Sequence, residues 1–289
     1  IKHDEFELPW DQPVPENMWQ RAAEYCCNDV RATEAVFDAT EADYNARMIL
    51  STLSGLSPNS TTNQHTTAII FEGKSRKETA HELQYTDLST MFPGYKYSFG
   101  KSSYRGEDPG EGGYVYAEPG VYTNVALLDV ASMHPTSAIA LNLFGEYTHN
   151  FNDIMQARLL IKHGNLEKAG ELFDGRLKPF LGDKKSAKSL SDALKTAINS
   201  VYGLTSAKFE NHFRHPDNVD NIVAKRGALF MIDLKHAVKD LGYDVCHIKT
   251  DSIKIPNADQ KIIDFVFDFG KDYGYTFEHE DTYKRFALV

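Results

Sequence analysis

The stretch Leu127–Leu141, LLDVASMHPTSAIAL, constrains the fold of this chain more than any other. An apolar run, Val125–Leu128, ends on one acid, Asp129, and His134-Pro135 follows before a helical pattern. A short apolar run bounded by turn formers reads as a buried strand. The segment therefore predicts a strand, a carboxylate at the strand's end, a tight turn and a helix. An acid in that place is also an ordinary helix cap or turn residue. Alone, the segment does not separate chemistry from architecture.

Two later stretches bear on that choice. Ser186–Tyr202 reads as a helix ending at Gly203, and within it KTAINSVYG (195–203) places Lys195, Asn199 and Tyr202, with Lys188, near one stripe. Upstream, Asn152–His163 reads as a helix stopped by Gly164, with Arg158 and Lys162 four apart on one face. Two antiparallel helices with facing cations would clamp a phosphate; the plainer account is a solvated basic hairpin. Further on, Val245–Lys249 and Ser252–Pro256 read as strands joined through Thr250-Asp251. An acid at a hairpin tip is usually a turn former. Asp129 and Asp251 together, on neighbouring strands of one sheet, would be a pair of oxygen ligands.

Elsewhere the pattern is less specific. Residues 1–15 are irregular and marked by prolines. A helical repeat runs from Glu16 to Leu53, placing Tyr25 and Asp29 on one face. Residues 54–66 form a polar loop, and Ala68–Phe71 a short strand. Residues 72–116 are mostly loop, with Tyr95, Tyr97 and Tyr104 interleaved with Lys96, Lys101 and Arg105. Such interleaving suits stacking and phosphate contact on a nucleic-acid strand, or tyrosines packed on the domain below. Short helical and basic segments (Leu166–Phe173, then LKPFLGDKKSAK) link the two cationic helices. Asp220–Leu241 reads as an amphipathic helix closed by Gly242, and Ala258–Tyr273 as another. Tyr275–Phe277 reads as an edge strand and Thr282–Val289 as a strand.

A net charge of −10 argues at first against a nucleic-acid partner, but its distribution softens this. Residues 1–50 hold 4 basic against 11 acidic side chains, whereas residues 150–215 hold 11 basic against 7 acidic. Screening limits each charge to about 8–10 Å at ordinary salt, so a local basic surface can still grip phosphates. No apolar run approaches the roughly 20 residues of a membrane span. Cys26, Cys27 and Cys246 form no CxxC pair, which argues against zinc or a disulfide framework and suits buried thiols in a reducing compartment. The first residue is Ile1 and no signal peptide is visible, so a piece of a longer chain or a processed product is expected.

Taken together, the motifs resemble the family B DNA polymerases, most closely bacteriophage-type members. DVASMHPTSAI (129–139) is similar to the family's first palm motif, KTAINSVYG (195–203) matches its K-x-x-x-N-S-x-Y-G fingers helix, and KTDSIKI (249–255) is similar to its D-T-D-S hairpin. YCCND (25–29) is similar to the last 3′–5′ exonuclease motif, and YKRFAL (283–288) to the segment that holds the primer duplex. The resemblance implies an α+β fold, an antiparallel palm sheet backed by helices with an inserted helical-hairpin fingers subdomain. It implies the end of an exonuclease domain over 1–53, connector and template-side loops over 54–120, palm over 121–149 and 204–289, fingers over 150–203, and no thumb.

The same resemblance implies two Mg²⁺ ions, with Mn²⁺ as a substitute, held by Asp129, the carbonyl of Val130 and Asp251. It places Ser132, Met133, His134, Arg158, Lys162, Lys195, Asn199 and Tyr202 at the incoming nucleotide, with Lys195 also catalytic. Gly203, Thr250, Lys284 and Arg285 would meet DNA, and Tyr25 and Asp29 would be an exonuclease remnant without activity. The implied partners are primer–template DNA, dNTPs, and a processivity factor or the missing polymerase segments, with no membrane, in the cytoplasm of a phage's bacterial host. The chain departs from the pattern at Lys249, where the family has Asp; at His134, where it usually has the Tyr that discriminates sugars; and at Tyr283, where it has Lys. Other accounts are an inactive or split nucleic-acid- or nucleotide-binding fragment, a protein-primed polymerase, and an unrelated hydrolase using the two acids, which leaves KTAINSVYG without a task.

Overall fold

The strand Gly120–Val130 explains the rest of the architecture, because its alternate residues face two different surroundings. In the computed structural model, which describes residues 5–289, the helices are α1 (Trp19–Ala39), α2 (Glu41–Ser54), α3 (Thr62–Ile70), α4 (Arg76–Thr79), α5 (Met133–Ala140), α6 (Thr148–Lys162), α7 (Leu166–Glu171), α8 (Lys184–Thr205), α9 (Ile222–Asp240) and α10 (Gln260–Asp272). The strands are β1 (Lys96–Ser98), β2 (Lys101–Ser103), β3 (Val115–Ala117), β4 (Gly120–Val130), β5 (His247–Lys249), β6 (Ser252–Pro256) and β7 (Phe277–Leu288). Strands β3 to β7 form one antiparallel sheet in the order β3-β5-β6-β4-β7; β1 and β2 pair separately. Ala126, Leu128 and Val130 enter the core with Ile248, Ile253 and Ile255. Alternation then sends Leu127 and Asp129 to the other face, on which Val125 and Leu127 are buried and Asp129, at the strand's end, is partly exposed. The fold is α+β, with an antiparallel sheet backed on one face by helices.

Helices α5 and α9 form that backing. They approach closely at Gly227, where an added Cβ would lie 2.5 Å from the Sδ of the buried Met133. Beneath them Tyr275 is buried, its hydroxyl 2.7 Å from Ser137 Oγ, with the Arg226 guanidinium 4.8 Å above its ring. Helices α6 and α8 pack side by side over a separate part of the core through Ile154, Ala157, Leu190, Leu194 and Val201.

Several elements differ from the sequence reading for identifiable reasons. The helix expected over Glu16–Leu53 is broken at Thr40, whose hydroxyl donates to the carbonyls of Val36 and Phe37 and whose backbone leaves helical geometry. Ala68–Phe71, expected as a strand, ends helix α3, which a Thr61/Gln64 capping box starts inside the expected loop. The helix expected to stop at Gly203 continues to Thr205, with Gly203 inside it. The two strands expected around residues 275–289 are one long edge strand, β7, with a bulge opposite Leu127/Leu128 that leaves Glu280 as the extra residue. Its polar middle suggested a break, yet one side of an edge strand on an open face needs no apolar residues. Cys26 and Cys27 are exposed rather than buried, while Cys246 is buried, which pushes its thiol up to about 11. No helix among the described residues is long and apolar enough to cross a membrane.

Candidate functional site

The two acids of the sequence motifs meet at one end of the sheet. Asp129 pairs in register with Ser252 on β6, and the next amide, Val130 N–H, donates to the Asp251 carbonyl at 2.9 Å. The hairpin carrying Asp251 turns through Thr250 in left-handed geometry (φ 57°), and Thr250 N–H donates to the Tyr114 carbonyl at 2.9 Å. On the other flank Asp129 pairs with Glu278 of β7, and Ala131 N–H donates to Thr276 O at 2.8 Å. Backbone bonds on both sides thus fix the strand end where the acids sit.

Electrostatically this is an acid-rich spot short of positive charge. Burial pushes the Asp129 carboxyl up to about 7, and the charges of Asp251, Glu280 and Glu278 add to the rise, opposed by Lys254. Such a carboxyl favours the proton unless a cation supplies the missing charge. Among the described residues no three His, Cys, Asp or Glu side chains converge closely enough to hold a metal by themselves. Two carboxylates and a backbone carbonyl fit a hard cation that takes its remaining ligands from water and substrate phosphates, as Mg²⁺ does.

After Val130 the chain turns sharply. Ser132 adopts left-handed geometry (φ 60°) at the start of α5, and the first amides of that helix carry no intrahelical partner. Met133 is buried against α9, so only its backbone is available there. His134 stacks on Tyr202 of α8, with ring centres 4.1 Å apart. Burial lowers its imidazole pKa, and its Nε2 is buried without a partner.

The cations stand on the neighbouring helices. Arg158 Nη1 is 3.4 Å from Ser132 Oγ, and Lys162 Nζ lies 3.0 Å from both carboxylate oxygens of Glu278. Lys195, Asn199 and Gly203 are exposed along α8. Lys249 is exposed at the end of β5, opposite Ser252 on β6.

Lys284 and Arg285 are exposed on β7, but Arg285 pairs with Thr123, six residues along β4 from Asp129. At the strand rise that is about 20 Å away, so these two residues do not join the acid pair. Tyr25 and Asp29 lie on α1, none of whose residues is buried; the Asp29 charge raises the Tyr25 phenol, and among the described residues no three acids, His or Cys gather there closely enough to hold a metal.

Sequence reasoning missed the segment that roofs the site. Residues 104–116 are strapped to α9: Tyr104 and Arg105 bind Asp233, Lys235 bonds Glu107 and Tyr114, His236 bonds Glu107 at 2.7 Å, and Lys225 donates to the Gly110 carbonyl. The straps bring Gly113 against Thr250, where an added Cβ would lie 2.7 Å from Cγ2, and Gly112 within reach of the Tyr202 hydroxyl. The glycines were visible in the sequence; their docking partner was not. Tyr95 and Tyr104 are buried with their hydroxyls on Asp220 and Asp233, so packing, not stacking on a strand, accounts for both.

No family model and no curated protein matches the chain. Among solved structures it is similar to the family B DNA polymerase from the hyperthermophilic archaeon Pyrobaculum calidifontis, with a TM-score of 0.46 and 16% identity, over 94% of this chain and 36% of that one. The chain therefore spans little more than a third of that polymerase's length.

Proposed function

We propose that this chain carries the nucleotide-joining centre of a template-directed DNA polymerase of the family B, phage-related type, joining a dNTP to a primer 3′-OH with release of pyrophosphate. The observation that carries the reading is the acid pair. Asp129 and Asp251 are fixed at one strand end by the Val130–Asp251 backbone bond, with Asp129 raised to about 7 by burial and by the neighbouring acids. In this reading Asp129, Asp251 and the Val130 carbonyl hold Mg²⁺ or Mn²⁺, which when bound supplies positive charge to the attacking and leaving oxygens. In the parent protein, residues 1–53 would end an exonuclease domain, 150–203 form the fingers, and 121–149 and 204–289 the palm.

The chain's own residues would do the rest. Lys195, Arg158 and Lys162 neutralise the triphosphate, whose charge grows as the leaving group departs. The free amides at Ser132 and Met133, at the start of α5, donate to its oxygens. His134, held flat against Tyr202, lies under the sugar, and Asn199 and Tyr202 border the new base pair. Thr250 and Gly203 line the DNA path near the joint, and Lys284 and Arg285 meet backbone farther along the duplex. The roof at Gly112 and Gly113 limits the space above the nucleotide.

The test is extension of a labelled primer–template with dNTPs and Mg²⁺, beside an Asp251→Asn control. Extension by the chain that disappears in the control supports the reading. Neither extension nor Mg²⁺-dependent nucleotide binding would remove it in favour of an inactive nucleic-acid-binding fragment.

A further inference from the structure

The open face of the sheet carries a second charged group beside the acids. Ile248, Ile253 and Ile255 enter the core, so His247, Lys249, Ser252 and Lys254 project to the open side. Register sets His247 opposite Lys254 and Lys249 opposite Ser252, while on the other flank of β6 Leu127 faces Lys254 and Asp129 faces Ser252. Lys254 thus lies two residues along β6 from the position beside Asp129, about 7 Å at the strand rise. It lies toward the Leu127 end of β4, away from the turn at Ala131–Ser132 and the cations of α6.

Lys254 is only 9% exposed. No carboxylate among the described residues bonds its ammonium, which donates instead to Nδ1 of His247 at 3.2 Å and lies 5.8 Å from the centre of the Phe286 ring. Donation to Nδ1 leaves the imidazole N–H on Nε2. His247 is partly exposed and Lys249 is exposed. The group therefore offers two donors toward solvent, a neutral imidazole N–H and the Lys249 ammonium, with a second positive charge, Lys254, held behind them. No carboxylate among the described residues contacts this buried ammonium, the charges of Asp129 and Asp251 act on it only from a distance, and an anion seated at this group would offset more of the cost of burying it.

We propose that His247, Lys249 and Lys254 form a seat for one phosphodiester of the primer strand, one or two linkages from its reacting end. His247 and Lys249 contact the phosphate, and Lys254 is the positioning residue that fixes the imidazole and its field. The seat rests on the polymerase reading above. A triphosphate is not its ligand, because Arg158, assigned to the triphosphate, reaches Ser132 at the other end of the acid pair.

The test measures binding of the chain to primer–template at several salt concentrations, using primers that each carry one uncharged methylphosphonate linkage. For the unaltered chain, neutralising one of the last two linkages should weaken binding about tenfold, the scale of one charge-assisted hydrogen bond. Lys254→Met, an unbranched apolar replacement that the buried site accommodates, and His247→Ala should weaken binding to the ordinary primer by a similar factor. Both should be indifferent to that same linkage, with the salt slope reduced by about one. Lys254→Arg should restore the sensitivity, and dNTP affinity should not move. Strong binding with no sensitive linkage, or a Lys254→Met protein as sensitive as the unaltered one, overturns the seat alone. A chain that binds no primer–template overturns the polymerase reading and the seat with it.

Discussion

The floor and the wall of the site are built differently. The floor is the end of β4 and the β5–β6 hairpin, where Asp129 and Asp251 stand on strands whose opposite face is buried at Leu128, Ile253 and Ile255. Backbone bonds alone set their place. The wall is α6 and α8, whose apolar faces are equally well buried, but whose cations hang on long side chains. Lys195 is exposed, while Arg158 and Lys162 lean across to Ser132 and Glu278. The acids must hold one geometry, so they stand on short side chains fixed by the sheet. In the proposed reaction the cations would follow a polyphosphate that arrives, reacts and leaves, so reach would suit them better than rigidity.

Breaking the floor should have the largest effect. Asp129→Asn removes, at constant shape, one of the two carboxylates proposed to hold metal, and primer extension should fall at least about 10³-fold, equivalent to about 4 kcal/mol of transition-state stabilisation. Far-UV circular dichroism should be unchanged. Retained extension would show that the floor is structural and that the chemistry lies elsewhere.

Breaking the wall should cost somewhat less. Lys195→Ala removes one cation from the leaving phosphates and should lower kcat/KM about 10²- to 10³-fold, the range for deletion of one preorganised charge-stabilising group. Because Lys195 is exposed, thermal stability should barely change. Comparable losses from Lys195→Ala and Asp129→Asn would mean that wall and floor act as one unit even before substrate arrives.

The next effect is on stability and separates the two regions by pH. Asp129 is raised to about 7 in the folded state, above its unfolded value, so between about pH 4 and pH 7 the folded chain binds the extra proton. Stability should therefore fall as pH rises through that window and stay reduced above it. Asp129→Asn should be more stable than the unaltered chain at pH 8, by about 1–2 kcal/mol once solvent screening of this half-buried group is allowed for. The advantage should vanish at pH 4, and Mg²⁺ should narrow it at pH 8. Thermal melts at the two pH values read the difference. An equal melting point at pH 8 without metal would mean that the floor carries no electrostatic strain.

The floor was legible in the sequence because its signals are local: an apolar run closed by Asp129, and two strands around Thr250-Asp251, each within a dozen residues. The helices bearing Arg158, Lys162 and Lys195 were legible through spacing for the same reason. What was not legible depends on residues far apart. Glu278 reaches Asp129 only because β7 pairs with β4 across a bulge, and the bulge cannot be read from FEHEDTY alone. The roof at Gly112 and Gly113 is set by straps from Asp233, Lys235 and His236, more than a hundred residues downstream. Ala68–Phe71 was misread because four apolar residues fit a strand and a helix end equally well; the capping box that decided it lay in the polar stretch before them.

The smallest expected effect concerns an ion pair that ties wall to floor. Lys162 reaches Glu278, and both side chains remain substantially exposed, at 47% and 35%. Pairs of this kind contribute about 0–1 kcal/mol, so the tie is a weak restraint that a triphosphate can outcompete. Glu278→Gln frees Lys162 and also removes one of the charges that raise Asp129. Both changes favour nucleotide capture, so KM for dNTP should fall by up to about fivefold at low salt, with kcat nearly unchanged. The gain should shrink as salt screens the pair. A double-mutant cycle isolates the tie: in a Lys162→Ala background, Glu278→Gln should lose most of its effect on KM. If it keeps the full effect, Glu278 acts through Asp129 alone, and the wall stands free of the floor until nucleotide binds.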